Sequence, residues 1–435
     1  MTGGLKIRRI HLRGFQQFQD TVLDFTNPET GEVADRVCFI GRNGTGKTTI
    51  LRALDGLLQS LPKPSHVGTE ASYVIEYGQR RLVQVTTSQG KRRSEWRDVT
   101  GDVALEERVL RNESNQSTMV DLGGPLRCDL IVVQRVDVLV NQGPNLDGVP
   151  ETSLSAALGL MRDFPIRHEV SDAAVTEMWR LLVYLVKRRE SERQAYEVLP
   201  ENINKTKANL ITEFDAVNRP VLEGLASLWN RILEPAGLEF DVAGASIPIQ
   251  LNENLKAYIR HKASGDVIAY SALSTGIRNF MFRTGHLYLL YFNRVVERGF
   301  VLIDEPEDSL FPDFLFELTA VWEEILKGSS TQLFVATHSP IVAAQFEPWQ
   351  RIVLEWDGHG HVTAKHGRAP KGDDPNDVLR QDFDLPELMG PAGVDAWRRY
   401  LELRDQVDSG GGDRHTKIEQ MADLARRYGF AGDES

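Results

Sequence analysis

The sequence predicts an α/β fold, a mixed β-sheet with a glycine-rich loop at its centre, an inserted helical hairpin and a small C-terminal helical tail. Three observations predict it. The run DRVCFIGRNGTGKTTILRALDGLL reads as a buried strand, a glycine-rich loop and an amphipathic helix. FVLIDEPEDSLFP and QLFVATHSP begin as continuous apolar strands and end in polar residues, as a parallel sheet covered on both faces demands. From about Val170 to Leu233 the texture changes to charged helix former.

The elements follow in order. Residues 5–25 alternate apolar and polar positions in two runs broken at Arg13-Gly14-Phe15, which predicts an antiparallel pair. After Gly41 a helix is expected over Lys47–Leu58, where Ile50, Leu51, Leu54, Leu57 and Leu58 recur at helical spacing, with Pro62 and Pro64 as its stop. Strand-like segments fall at 73–76, 82–87 and 129–133, and a Gly- and Pro-rich loop spans Gln142–Pro150. AAVTEMWRLLVYLVKRRESERQAYEVL and ANLITEFDAVNRPVLEGLASLWNRIL supply the two arms of the helical hairpin. Strand and helix signals resume near Leu238 and run to about Val362. The remaining residues carry loops, the linker DSGGGD and two short helical stretches. The resulting division is 1–165, an inserted 166–236, 237–362 and a tail 363–435.

The 435 residues, 41% hydrophobic, provide ample core for a globular chain. No window approaches the ~18 consecutive apolar residues of a membrane helix and the N-terminus lacks a signal-peptide core, so no membrane association and a cytoplasmic location are expected. Cys38 and Cys128 lie in apolar surroundings and suggest burial, not a disulfide framework. A net charge of −12 argues against a protein that coats nucleic acid over its whole surface. A local basic track remains at Gln79–Arg97, which reads as a β-hairpin with a basic rim that is either solvated or a nucleic-acid contact.

The chemistry concentrates at strand ends. GRNGTGKTT fits G-x-x-x-x-G-K-[ST]: Gly41, Arg42, Asn43, Gly44, Thr45, Gly46, Lys47, Thr48 and Thr49 would wrap a nucleotide's phosphates with backbone N–H groups. Lys47 would pair with the β- and γ-phosphates and Thr48 would place its hydroxyl on Mg²⁺. Asp304, ending an apolar strand, is placed to hold the same Mg²⁺, and Glu305 to orient and deprotonate an attacking water. His338 would sit at the same edge, touching the γ-phosphate or the water; the alternative is a bystander beside a helix cap. Gln134, after another apolar strand, could reach Mg²⁺ and the water. His359, His361 and His366 fit a hairpin turn better than a metal site, and GDDPNDVL fits a loop capping a helix through Asn376 or Asp377.

With these residues in hand, the chain resembles the ABC-type ATPases of the SMC, RecF and OLD group over about residues 5–355. The order of motifs is theirs: hairpin, phosphate loop, Gln loop, helical insertion, signature loop ALSTGIRNF, Asp304-Glu305, D-loop Asp308-Ser309 and switch His338. The resemblance implies an ABC-ATPase head that binds ATP and Mg²⁺ and forms a homodimer or a higher even oligomer. It also implies that Ser274 and Gly276 reach the γ-phosphate held by the other subunit and that Asp308 belongs to the nucleotide site. Ile277 departs from the acidic or Gln residue often found there. The small insertion and the tail GDDPNDVLRQDFDLPEL resemble the ATPase subunits of anti-phage systems, the Septu and retron-associated PtuA family, whose nuclease is a separate polypeptide. A RecF-like DNA-repair clamp is the rival reading, and a transporter motor subunit fits less well.

Overall fold

A computed structural model describes residues 5–60, 71–77, 80–86, 92–98, 108–110, 130–134, 166–169, 172–218, 220–241, 259–268, 272–292, 298–372, 374–385, 389–409 and 413–428. The chain opens with the expected antiparallel hairpin, β1 (Leu5–Phe15) and β2 (Phe18–Asp24). Its reversal comes at Gln16 and Gln17, later than the break expected at Arg13–Phe15, because Gln16 takes the left-handed conformation (φ +49°) that turns the chain. β3 (Arg36–Gly41) then leads through the glycine-rich loop to α1 (Lys47–Ser60). Pro62 and Pro64 lie outside the described residues.

Four strands, β4 (Ala71–Tyr77), β5 (Arg80–Thr86), β6 (Arg92–Asp98) and β7 (Arg108–Leu110), join β1 and β2 in a six-stranded antiparallel sheet of order β2-β1-β4-β5-β6-β7. Within the basic stretch at 79–97, residues 80–86 and 92–97 lie on the β5–β6 pair. β8 (Leu130–Gln134) and β9 (Ile166–Glu169) precede the inserted helices. The loop Gln142–Pro150 and Cys128 lie outside the described residues.

Among the described residues the insertion contains three helices where two were expected: α2 (Asp172–Glu197), α3 (Lys207–Val217) and α4 (Val221–Leu233). The second arm breaks at Pro220, which cannot donate an N–H and disfavours helical backbone in the residue before it. The insertion is not an appendage. Trp229 on α4 is fully buried and donates from Nε1 to the Met281 carbonyl at 2.9 Å. β10 (Leu238–Phe240), β11 (Ile259–His261) and β12 (Val267–Ile268) make a small antiparallel sheet beside it.

The last part of the chain alternates helix and strand: α5 (Thr275–Phe292), β13 (Arg298–Asp304), α6 (Pro312–Leu326), β14 (Ser330–Ala336), α7 (Pro340–Ala344), β15 (Arg351–Trp356) and β16 (Val362–His366). These strands complete a seven-stranded sheet of order β16-β15-β3-β14-β13-β8-β9, parallel except for its edge strand β16. Side-chain alternation divides the core in two. Cys38, Ile40, Val301, Ile303, Leu333 and Val335 face the helices, while Val37, Phe39, Phe300, Leu302, Phe334 and Ala336 face α1 and the β1–β2 hairpin. Burial pushes the Cys38 thiol up.

His359 and His361 sit in the turn between β15 and β16, where the Asp357 carboxylate accepts from both of their backbone N–H groups at 2.8 Å. Beyond it lie α8 (Pro375–Gln381), α9 (Pro391–Asp408) and α10 (Arg414–Tyr428), the last two packed on each other as a helical tail. GDDPNDVL does cap a helix, but through Asp374, whose side chain accepts from Asn376 N; Asn376 and Asp377 are already inside α8. The core continues past residue 362, since Ala369, Val378 and Phe383 are buried against the helical face of the sheet. No helix among the described residues is long and apolar enough to cross a membrane.

Candidate nucleotide site

β3, β13 and β14 are neighbours and parallel, so their carboxyl ends open on one edge of the sheet, where α/β folds bind ligands. The loop Gly41–Thr49 stands at that edge. Gly41 (φ +149°) passes so close to β15 that a Cβ would lie 2.4 Å from the Leu354 carbonyl oxygen. Gly46 (φ +96°) lies under the β1–β2 turn, where a Cβ would meet Gln17 Nε2 at 2.1 Å. Both positions therefore require glycine. Thr45 is fully buried and its hydroxyl donates to the Arg42 carbonyl at 2.8 Å, pinning the loop from within. Arg42 and Asn43 are exposed. Thr49 Oγ1 donates to Gln16 Oε1 at 3.2 Å.

Lys47 folds back over this loop, donating from Nζ to the carbonyls of Gly41 at 2.8 Å and Arg42 at 3.2 Å. Its burial lowers the ammonium pKa to about 8, against the attraction of Glu305, Asp304 and Glu307. The carbonyls stand in for acceptors that an anion can replace. Thr48 Oγ1 donates to Asp304 Oδ1 at 3.2 Å, and burial raises the pKa of Asp304 despite that bond. The next residue, Glu305, has left-handed backbone (φ +44°), uncommon outside glycine. Its Oε1 lies 3.4 Å from His338 Nε2, and burial, followed by the charge of Lys47, lowers the imidazole pKa. Lys47, Thr48, Asp304, Glu305 and His338 thus converge.

A family profile described as an AAA ATPase domain matches residues 5–120 and 149–343, well over half of the chain. The chain belongs to the AAA ATPase domain family. Membership of this family supports ATPase activity and, with it, nucleotide binding. Among solved structures, this AAA ATPase domain is similar to a Smc head domain from Pyrococcus furiosus with an extended coiled coil bound to the C-terminal domain of ScpA (14% identity, 83% of this chain and 96% of that one, TM-score 0.41). It is also similar to an Smc head bound to the C-winged helix domain of ScpA (13%, 83% and 97%, 0.43) and to the SMC head domain from Thermotoga maritima (12%, 84% and 100%, 0.41). No curated protein matches it.

The other sequence-derived residues of the AAA ATPase domain lie on a second cluster. Gln134 is the last residue of β8; it is buried and its amide donates to the Arg283 carbonyl on α5 at 3.1 Å. With Asn279, Arg283 and Asp308 it lines a cavity of about 10 Å³, the size of one water. Ser274 is exposed and caps α5, its Oγ accepting from Ile277 N at 3.3 Å. Gly276 is buried against the Ser309 carbonyl. Among the described residues neither Ser274 nor Gly276 hydrogen-bonds to Gly41–Thr49.

Three participants were not found from sequence. Glu307 accepts from the switch-loop backbone. Arg283, buried on α5, sits in the field of Asp308, Asp304 and Glu307. Asp384 receives a hydrogen bond from Arg42 Nη2 on its carbonyl at 3.1 Å, with its carboxylate at 3.6 Å. The doubled acid in DEPED was the available signal for Glu307. Arg42 and Asp384 are 342 residues apart and offered none.

Proposed function

We propose that this ATPase works as a nucleotide-gated switch in the cytoplasm. Two copies would close head to head around ATP and regulate a separate nuclease in an anti-phage complex. The observation that carries the hydrolytic part is the 3.4 Å approach of His338 Nε2 to Glu305 Oε1, beside the Thr48–Asp304 pair. Glu305 accepts the proton of the attacking water, and His338 orients that water from the neighbouring strand. Lys47 exchanges the Gly41 and Arg42 carbonyls for phosphate oxygens. A hydroxyl beside a carboxylate is the sparse oxygen set that suits Mg²⁺, so Thr48 and Asp304 would hold it. When bound, Mg²⁺ neutralises charge on the transferring phosphoryl group.

The dimer is supported by Ser274, which stands exposed at the N-terminus of an 18-residue helix, a setting that favours an incoming phosphate. The nuclease partner is supported by the resemblance of the small helical insertion and of the tail GDDPNDVLRQDFDLPEL to the ATPase subunits of anti-phage systems.

Glu305→Gln tests the reading. It should lower hydrolysis by about 10²–10⁴-fold while retaining ATP, and light scattering should show an ATP-dependent dimer that Ser274→Arg abolishes. Wild-type turnover in Glu305→Gln would remove the assigned base. Pull-down followed by mass spectrometry should recover a nuclease, and its absence would remove the partner.

One observation favours a second reading, a clamp on DNA. The β5–β6 register pairs Arg81 with Arg97, so basic residues of the stretch noted in the sequence fall on one strand pair, the kind of basic track that a nucleic-acid backbone recognises. Salt-dependent DNA binding that weakens on charge reversal of Arg81 and Arg97 supports this reading, and no binding at low salt removes it.

A further inference from the structure

The loop after Asp304 and the switch loop after β14 are tied together twice. Glu305 N donates to the Ala336 carbonyl at 2.8 Å, a backbone bond any residue could make. The second tie needs a side chain. Glu307 Oε1 accepts from His338 N at 2.6 Å and from Ser339 N at 3.1 Å. The catalytic pair Glu305–His338 is thereby bracketed. One member follows Asp304, the other follows Thr337, and Glu307 joins the two backbones on the far side of buried Pro306.

We infer that Glu307 is a positioning residue, holding the backbone of the switch loop so that the His338 imidazole meets Glu305 at reacting distance. This rests on the reading of Glu305 and His338 given above. A purely structural role explains the carboxylate poorly, because Glu307 Oε2 is buried and has no hydrogen-bond partner among the described residues. A buried, half-satisfied carboxylate is costly, and such groups gather where geometry serves function. Glu307 itself touches no reacting atom. It fixes the main chain of the residue that does.

Two variants separate positioning from chemistry. Glu307→Gln keeps an oxygen able to accept from His338 N and Ser339 N; Glu307→Ala removes it. Positioning predicts that Glu307→Ala loses about tenfold to a hundredfold in kcat with KM for ATP little changed, since a misplacement near 1 Å costs that much, and that Glu307→Gln recovers most of the loss. Hydrogen exchange of the peptide spanning Thr337–Val342 supplies a readout independent of turnover: protection should fall in Glu307→Ala and persist in Glu307→Gln. Equal loss of kcat in both variants, unchanged exchange in Glu307→Ala, or a parallel loss of ATP binding would each overturn the inference. Thermal melts of both variants show whether the fold survives, and if Glu307→Ala does not fold, Glu307→Asp, whose shorter carboxylate withdraws from the same N–H groups, takes its place in both assays. Failure of the Glu305 assignment stays distinguishable, because Glu305→Gln would then turn over normally whatever the exchange data show.

Discussion

A Cβ placed on Gly276 would lie 1.8 Å from the carbonyl oxygen of Ser309, so the start of α5 and the loop after Asp304 meet backbone to backbone. Ser309 itself is held in left-handed conformation (φ +62°) at this contact. Gly276 therefore has a task in its own chain before any phosphate from a second subunit reaches it. Gly276→Ala must push two main-chain segments apart and should cost about 1–3 kcal/mol, visible as a lowered melting temperature of the nucleotide-free monomer. Ser274→Ala removes only an exposed cap and should leave nucleotide binding within one head unchanged. If Gly276→Ala melts like the wild type and fails only in dimerisation, the role in trans is the dominant one.

Lys47 gives the site a pH signature. Burial brings its ammonium down to about 8 from its ordinary 10.5. The unfolded chain holds this proton more tightly, so between pH 8 and 10.5 the native state gains stability from this group as pH rises. Under the proposed role of Lys47, nucleotide affinity runs the other way, because only the ammonium attracts phosphates. Binding should weaken as pH rises through about 8 and should take up a proton there. Calorimetry in two buffers of different ionisation enthalpy counts that proton. Lys47→Arg, charged throughout, should abolish the uptake.

Much of this architecture was legible in the sequence. The β3–loop–α1 unit, the apolar strands β13 and β14 and the acidic and histidine residues at their ends are local patterns, and the sheet assembles them without altering their order. Local pattern failed where a single residue changed the backbone. Pro220 divides a helix whose apolar spacing is continuous across it, and Gln16 rather than Gly14 turns the first hairpin. The doubled acid in DEPED marked Glu307, but its partners, His338 N and Ser339 N, are main-chain groups, so its role depended on how the two loops meet. Gln134 was legible as a residue at a strand end, but its bond to Arg283 depends on how α5 crosses the sheet.

Arg351 and Asp382 form an ion pair with side chains 0% and 1% exposed, Nε to Oδ2 3.3 Å. Asp382 Oδ1 also accepts from Arg368 N at 2.6 Å. Asp382→Ala removes the ion-pair partner of a buried guanidinium and should cost about 3–5 kcal/mol in urea denaturation. The double replacement Arg351→Met with Asp382→Leu should recover much of that loss, since two matched apolar side chains leave no charge unanswered. A loss under 1 kcal/mol for the single variant would mean that water reaches the pair.

Two residues beyond that pair, Asp384 takes the hydrogen bond of Arg42. The practical edge of the folded head is therefore set by charge and not by the last strand. Trimming at residue 366 would leave a cation inside the sheet and the first exposed side chain of the phosphate loop without its mooring. Trimming at 385 keeps both, and the α9–α10 hairpin becomes a part that can be removed, exchanged or fused while the nucleotide site stays whole.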